Sequence, residues 1–157
     1  MAIVYLGLGS NLGDKELNLK QATNNINRQI GKVIALSAYY YSAPLGFKSK
    51  NNFVNSVIKI ETNLQAMEIL RQTQQIEKQM GRTTKSHNKE YTDRIIDIDI
   101  LLYDDNIMQN SELEIPHPQL HLREFVLFPL KEISPELIHP TLNRTIESLA
   151  KDIDYLE

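Results

Sequence analysis

An α+β fold on a β-α-β-β-α-β core is predicted by three observations on this 157-residue sequence. Residues 2 to 8 and 95 to 103 are apolar and β-prone almost without a break. Two intervening stretches carry apolar residues at helical spacing, and turn residues separate the elements in the order strand, helix, strand, strand, helix, strand. That order is the ferredoxin-like plan, a mainly antiparallel sheet with helices packed on it. With 41% hydrophobic and 24% charged residues, the chain suits a single domain over 1–157 that buries a core without a covalent staple.

The first strand ends where Gly9-Ser10-Asn11-Leu12-Gly13-Asp14 supplies turn chemistry and, at Asp14, a helix N-cap. Leu19, Ala22, Ile26 and Ile30 follow at helical spacing, with Gly31 where a left-handed C-cap residue is expected. Residues 32 to 42, with Val33, Ile34, Leu36 and Tyr39-Tyr40-Tyr41, form a second strand that stops near Ala43-Pro44-Leu45-Gly46. Phe53 to Glu61 alternates as a third strand, Val54, Ile58 and Ile60 on one face and Phe53, Asn55 and Val57 on the other. A second helix runs from about Gln65 to Met80, burying Ala66, Ile69, Leu70, Thr73, Ile76 and Met80, and Gly81 ends it. After the polar stretch 82 to 94 comes the clearest strand, Ile95 to Tyr103. A hairpin around Asn106 to Ile115, a segment near Pro118 to Leu122 and a C-terminal helix from about Thr145 complete the expectation.

A net charge of −3 argues against general adhesion to nucleic acid or an anionic membrane, so an anionic ligand must meet a local basic cluster. The absence of cysteine excludes disulfides, thiolate metal sites and a cysteine nucleophile. With no leader-like flank and no apolar run of membrane-spanning length, a cytoplasmic protein is expected.

Asp97 and Asp99 stand two apart on a strand, so both carboxylates project from one face while Ile96, Ile98, Ile100 and Leu102 cover the other. Like charges this close repel unless a cation or a basic group sits between them, and magnesium suits, since it takes one or two carboxylates and completes its shell with water and phosphate oxygens. The plainer alternative is a solvent-facing strand. Arg82, Lys85, His87, Lys89 and Arg94 precede the pair and could meet phosphate, or could be a solvated loop. Gly7-Leu8-Gly9-Ser10-Asn11-Leu12-Gly13 fails the dinucleotide fingerprint because Leu12 occupies its third glycine position, and no Walker-type lysine follows. Phe53 beside Asn55 offers a ring and an amide to a flat heterocycle, or is an aromatic packed under a helix with an ordinary polar neighbour. Gln74 and Glu77 read by default as solvated, and His117 between Pro116 and Pro118 reads equally as phosphate donor or turn residue.

Taken in order, Gly9-Ser10-Asn11, Ala43-Pro44-Leu45-Gly46, Phe53-Val54-Asn55, Gly81-Arg82, the run Arg94 to Leu102 and Ile115-Pro116-His117-Pro118 resemble the 6-hydroxymethyl-7,8-dihydropterin pyrophosphokinase family over nearly the whole chain. The resemblance implies transfer of pyrophosphate from ATP to the pterin hydroxymethyl group, in folate biosynthesis; a monomer is expected, though the residues leave the oligomeric state open. It implies two magnesium ions bound with ATP on Asp97 and Asp99, with Arg82 and Arg94 stabilising the transferring group. A pterin would lie between Phe53 and Phe125, beside Gly9, its edge on Asn55 and the backbone of Ser42, Ala43, Pro44 and Leu45. Leu70, Gln74, Glu77, Ile100, His117 and Arg123 match positions lining the ATP site, and Tyr91 replaces the family's usual tryptophan. The loop departs most: Glu90-Tyr91-Thr92-Asp93-Arg94 differs from the usual pattern, an insertion of two residues precedes it, and Thr84 stands where a second arginine is common. Two rivals share these features, a ferredoxin-like module that binds without reacting and a two-metal nuclease. The nuclease lacks a broad basic track.

Overall fold

The computed structural model describes residues 1–42, 52–81 and 94–156. Its sheet is the predicted antiparallel one. Strands β1 (Ala2–Ser10) and β4 (Phe53–Thr62) pair from Ala2↔Thr62 to Ser10↔Val54, and β5 (Asp97–Tyr103) pairs with the other side of β1. Strands β2 (Lys32–Leu36) and β3 (Tyr40–Ser42) both pair with β4, giving the order β2-β4-β1-β5 with β3 alongside β4. Helices α1 (Lys15–Gln29) and α2 (Ala66–Gln79) cover one face, where Leu19, Ala22, Ile26, Ile69 and Ile76 meet Val4, Leu6, Leu8, Val54, Ile58, Ile60, Ile98 and Ile100. A short hairpin, β6 (Met108–Gln109) and β7 (Glu114–Ile115), follows β5.

The second face is also covered. Helices α3 (Glu124–Ile133) and α4 (Ile146–Leu156) pack Val126, Leu127, Leu130, Ile146 and Leu149 against Tyr5, Val57, Leu101 and Leu102, so the sheet lies between two helical layers. The sequence reading missed α3. Arg123 occupies its N-cap without a side-chain cap and Pro129 sits inside it, so both usual markers of a helix point the wrong way. Helix α4 begins where expected, with Thr145 Oγ1 accepting the Ser148 N–H at 3.1 Å. None of the described helices is long and apolar enough to cross a membrane.

Four further expectations are corrected. The second strand divides at Ser37, whose hydroxyl accepts the Val57 N–H at 2.9 Å in place of a ladder carbonyl, while the Ala38 N–H turns away to donate to Glu132 at 2.7 Å. Gly31 does not adopt a left-handed cap; it is needed because a Cβ there would run into the Glu61 carbonyl. Leu102 lies on the α3/α4 face, because a register shift at Leu101 turns the end of β5 over. Glu77 is buried, not solvated, and its Oε2 accepts the Ile98 N–H at 2.8 Å.

Candidate active site at the open end of the sheet

The site arises where β1 stops supplying side chains. Tyr5, Gly7 and Gly9 share the face toward α3, and beyond Tyr5 the two glycines leave the sheet bare. Register then decides what surrounds the gap. Gly9 stands between Asn55 and Asp97, and Gly7 between Val57 and Asp99, so the amide of β4 and both carboxylates of β5 flank one floor. The resulting cavity is lined by Gly9, Ser42, Phe53, Asn55, Arg94, Asp97, Asp99, Arg123 and Phe125, all nine of them named from the sequence. Gly7, Leu8, Ser56, Val57 and Val126, which the sequence reading did not name as site residues, complete the lining.

Gly9 is fixed by close approach: a Cβ there would stand 2.6 Å from Asn55 Nδ2. The same amide donates to the Leu8 carbonyl at 3.4 Å, which sets its orientation and leaves Asn55 Oδ1 buried with no partner among the described residues. A buried acceptor left this way is costly unless something from outside donates to it. Arg94 places its guanidinium Nη1 3.1 Å from Asp97 Oδ1, and its Nε is likewise buried without a partner among the described residues. Arg123 lies over the Phe125 ring at 5.7 Å, a cation against an aromatic face.

The two carboxylates are not equivalent. Burial first and the charge of Asp97 second push Asp99 up to about 7, and the nearby Arg123 only partly opposes them. A carboxyl held there is one whose negative charge lacks compensation, and the donor set present, two acidic side chains beside open space, is what magnesium takes when phosphate and water complete its shell. Among the described residues there is no cluster of three or more histidine, aspartate or glutamate side chains that would cage a metal by itself.

The expected nucleotide residues fall on either side of the outer edge of β5. On the α2 side, Glu77 bonds the outward Ile98 N–H, Leu70 packs against the core and Gln74 is exposed. The Ile100 side chain is buried in that core, while strand alternation turns its backbone groups outward like those of Ile98. On the other side, the His117 N–H donates to the Leu101 carbonyl at 2.9 Å, laying the Pro-His-Pro segment along the same edge after a cis Ile115-Pro116 bond. His117 Nδ1 accepts the Gln119 N–H at 3.1 Å, so the neutral ring carries its proton on Nε2. Burial, then Arg123, push that ring down to about 4. None of Leu70, Gln74, Glu77, Ile100 and His117 lines the glycine-floored cavity. Ala43, Pro44, Leu45, Arg82 and Tyr91, with Lys85, His87 and Lys89, lie outside the described residues.

Residues 5–135 match the family described as 7,8-dihydro-6-hydroxymethylpterin-pyrophosphokinase (HPPK). The chain belongs to the HPPK family. It is 46% identical over 141 residues to a 2-amino-4-hydroxy-6-hydroxymethyldihydropteridine pyrophosphokinase of Porphyromonas gingivalis, covering 89% of this chain and 95% of that protein. An enzyme of the same name from Aquifex aeolicus is 38% identical over 147 residues, 94% of this chain and 89% of the other. In fold, the chain is similar to Plasmodium falciparum HPPK-DHPS, with a TM-score of 0.80 and 20% identity over 97% of this chain. This HPPK chain spans 44% of that longer protein.

Proposed function

We propose that this chain catalyses transfer of the β,γ-pyrophosphoryl group of ATP to the hydroxymethyl oxygen of 6-hydroxymethyl-7,8-dihydropterin, releasing AMP. Membership of the HPPK family supports the reaction, and one observation supports this site for it: an Asn55 amide oxygen with no partner among the described residues, and two neighbouring carboxylates, Asp97 and Asp99, the second buried and pushed up to about 7, held across one glycine-floored strand. A pterin edge carries N–H donors suited to Asn55 Oδ1, and its flat ring suits Phe53 and Phe125, with Ser42 at the cavity wall; by the family resemblance the backbone of Ser42, Ala43, Pro44 and Leu45 would bond that edge. Gly9 keeps that amide in place.

Asp97 and Asp99 would hold the two magnesium ions that accompany ATP, which when bound supply charge compensation for the phosphates. Arg94, beside Asp97, and Arg82 would neutralise charge growing on the equatorial oxygens during in-line attack. His117 would donate a hydrogen bond from its neutral Nε2–H to a phosphate oxygen, keeping the proton, and Arg123 would add a fixed positive charge. The outward backbone of Ile100, with Leu70, Gln74, Glu77 and Tyr91, would receive the adenosine end, since a strand edge offers alternating donors and acceptors to a base. No covalent intermediate on the protein is needed. The chain is proposed to work as a cytoplasmic monomer of one domain.

The test is AMP formation from ATP, magnesium and hydroxymethyldihydropterin. The wild-type chain should form AMP only when pterin is present, and Asp97→Ala should reduce turnover by at least about a hundredfold while the fold survives. Near-normal AMP release by a folded Asp97→Ala variant would refute the assignment, and binding of both ligands without AMP would favour the non-reacting module.

A further inference from the structure

We propose that Asn11 is the positioning residue for Arg94, acting through the arginine's backbone; this rests on the reading of Arg94 given above. Asn11 follows β1 directly and is fully buried. Its Oδ1 accepts the Arg94 N–H at 2.6 Å, and its own N–H donates to the Arg94 carbonyl at 2.9 Å. One residue thus holds Arg94 at both backbone polar groups, from 83 positions away in the chain.

The need for that clamp follows from the sheet. Regular pairing of β1 with β5 ends at Gly9↔Asp97, so the ladder does not reach Arg94. Asn11 extends the attachment by one pair, using a side-chain oxygen where a strand would use a carbonyl. The turn that carries Asn11 is itself tied to α1, because Asn18 Nδ2 donates to Ser10 Oγ at 3.2 Å and to the Leu12 carbonyl at 2.9 Å. A continuous path of bonds therefore runs from α1 through Asn11 to Arg94, whose guanidinium meets Asp97 at 3.1 Å. With its backbone fixed at one end and its fork at the other, Arg94 has little freedom left, and charge compensation in phosphoryl transfer depends on such alignment. A carboxamide that served only its own turn would bond the turn's groups, whereas Oδ1 of Asn11 reaches the segment that carries the arginine.

A double-mutant cycle separates positioning from plain structural support. AMP formation is measured for the wild type, Asn11→Ala, Arg94→Ala and the double variant, together with pterin KM and the unfolding midpoint. Asn11→Ala should lower kcat about thirtyfold with pterin KM within about twofold. In the Arg94→Ala background the same change should lower kcat less than about twofold, because there is no guanidinium left to misplace. Asn11→Asp keeps an acceptor in the same place and should hold kcat within about fivefold of wild type. If Asn11→Ala does not fold, Asn11→Ser, too short to span to Arg94, takes its place in the cycle. Equal losses in both backgrounds, or a folded Asn11→Asp as slow as Asn11→Ala, would overturn the proposal. Arg94→Ala with wild-type turnover is a separate result that removes the reading of Arg94 itself and the proposal with it.

Discussion

If Asp97 and Asp99 hold a divalent ion as proposed, its affinity should depend strongly on pH, in a direction that the environment of Asp99 fixes. Its carboxyl is held at about 7, against an ordinary 3.8, by burial and by the charge of Asp97. In the metal-free chain the folded value lies above the unfolded one, so this group's contribution to stability is complete below about pH 4 and is lost as pH rises through about 7. A divalent ion requires the ionised form and must displace the proton. Near pH 8 about ten in eleven molecules are ionised at this position and near pH 6 about one in eleven, so affinity should fall about tenfold between those values and about tenfold more by pH 5. Calorimetric titration of Mg2+ into the metal-free chain, in two buffers of different ionisation enthalpy, reads both affinity and protons released. Release should approach one proton per protein chain near pH 6, about half near pH 7 and almost none near pH 8. Affinity that stays flat from pH 6 to pH 8, with no buffer-dependent heat, would refute the claim that Asp99 is an under-compensated ligand.

Two further outcomes follow from the geometry. Gly9→Ala places a methyl where Asn55 Nδ2 now lies, so pterin KM should rise at least tenfold while the unfolding midpoint moves little; unchanged KM would show that the Asn55 amide does not read the pterin. His117 should remain neutral with its proton on Nε2 from pH 8 down to about pH 5, since burial and Arg123 hold it near 4, and nitrogen chemical shifts of the imidazole check this directly; titration near the ordinary 6.5 would contradict it.

Much of this was legible in the sequence because period-two and period-3.6 patterns survive wherever one face of an element is buried. Asp97 and Asp99 share a face because β5 is regular through both, and Phe53, Asn55 and Val57 oppose Val54 and Ile58 for the same reason. Pattern failed where tertiary partners override local rules. Leu102 parts company with Ile98 and Ile100 only because of the shift at Leu101, and nothing local announces it. Helix α3 has a proline inside and no capping side chain, and its stability comes from the second core against Tyr5, Val57 and Leu101. Glu77 looks solvated on its helix, yet β5 brings the Ile98 N–H to it. Asn11 reads as an ordinary turn residue; its partner is a backbone amide that no spacing rule could pair with it.

The most direct test of the account is a crystal structure of the chain with Mg2+, a non-hydrolysable ATP analogue and hydroxymethyldihydropterin. The result expected is electron density for ions held between the Asp97 and Asp99 carboxylates and the phosphates, with the pterin edge on Asn55 Oδ1. Phosphates bound elsewhere, with that face of β5 empty of metal, would contradict it.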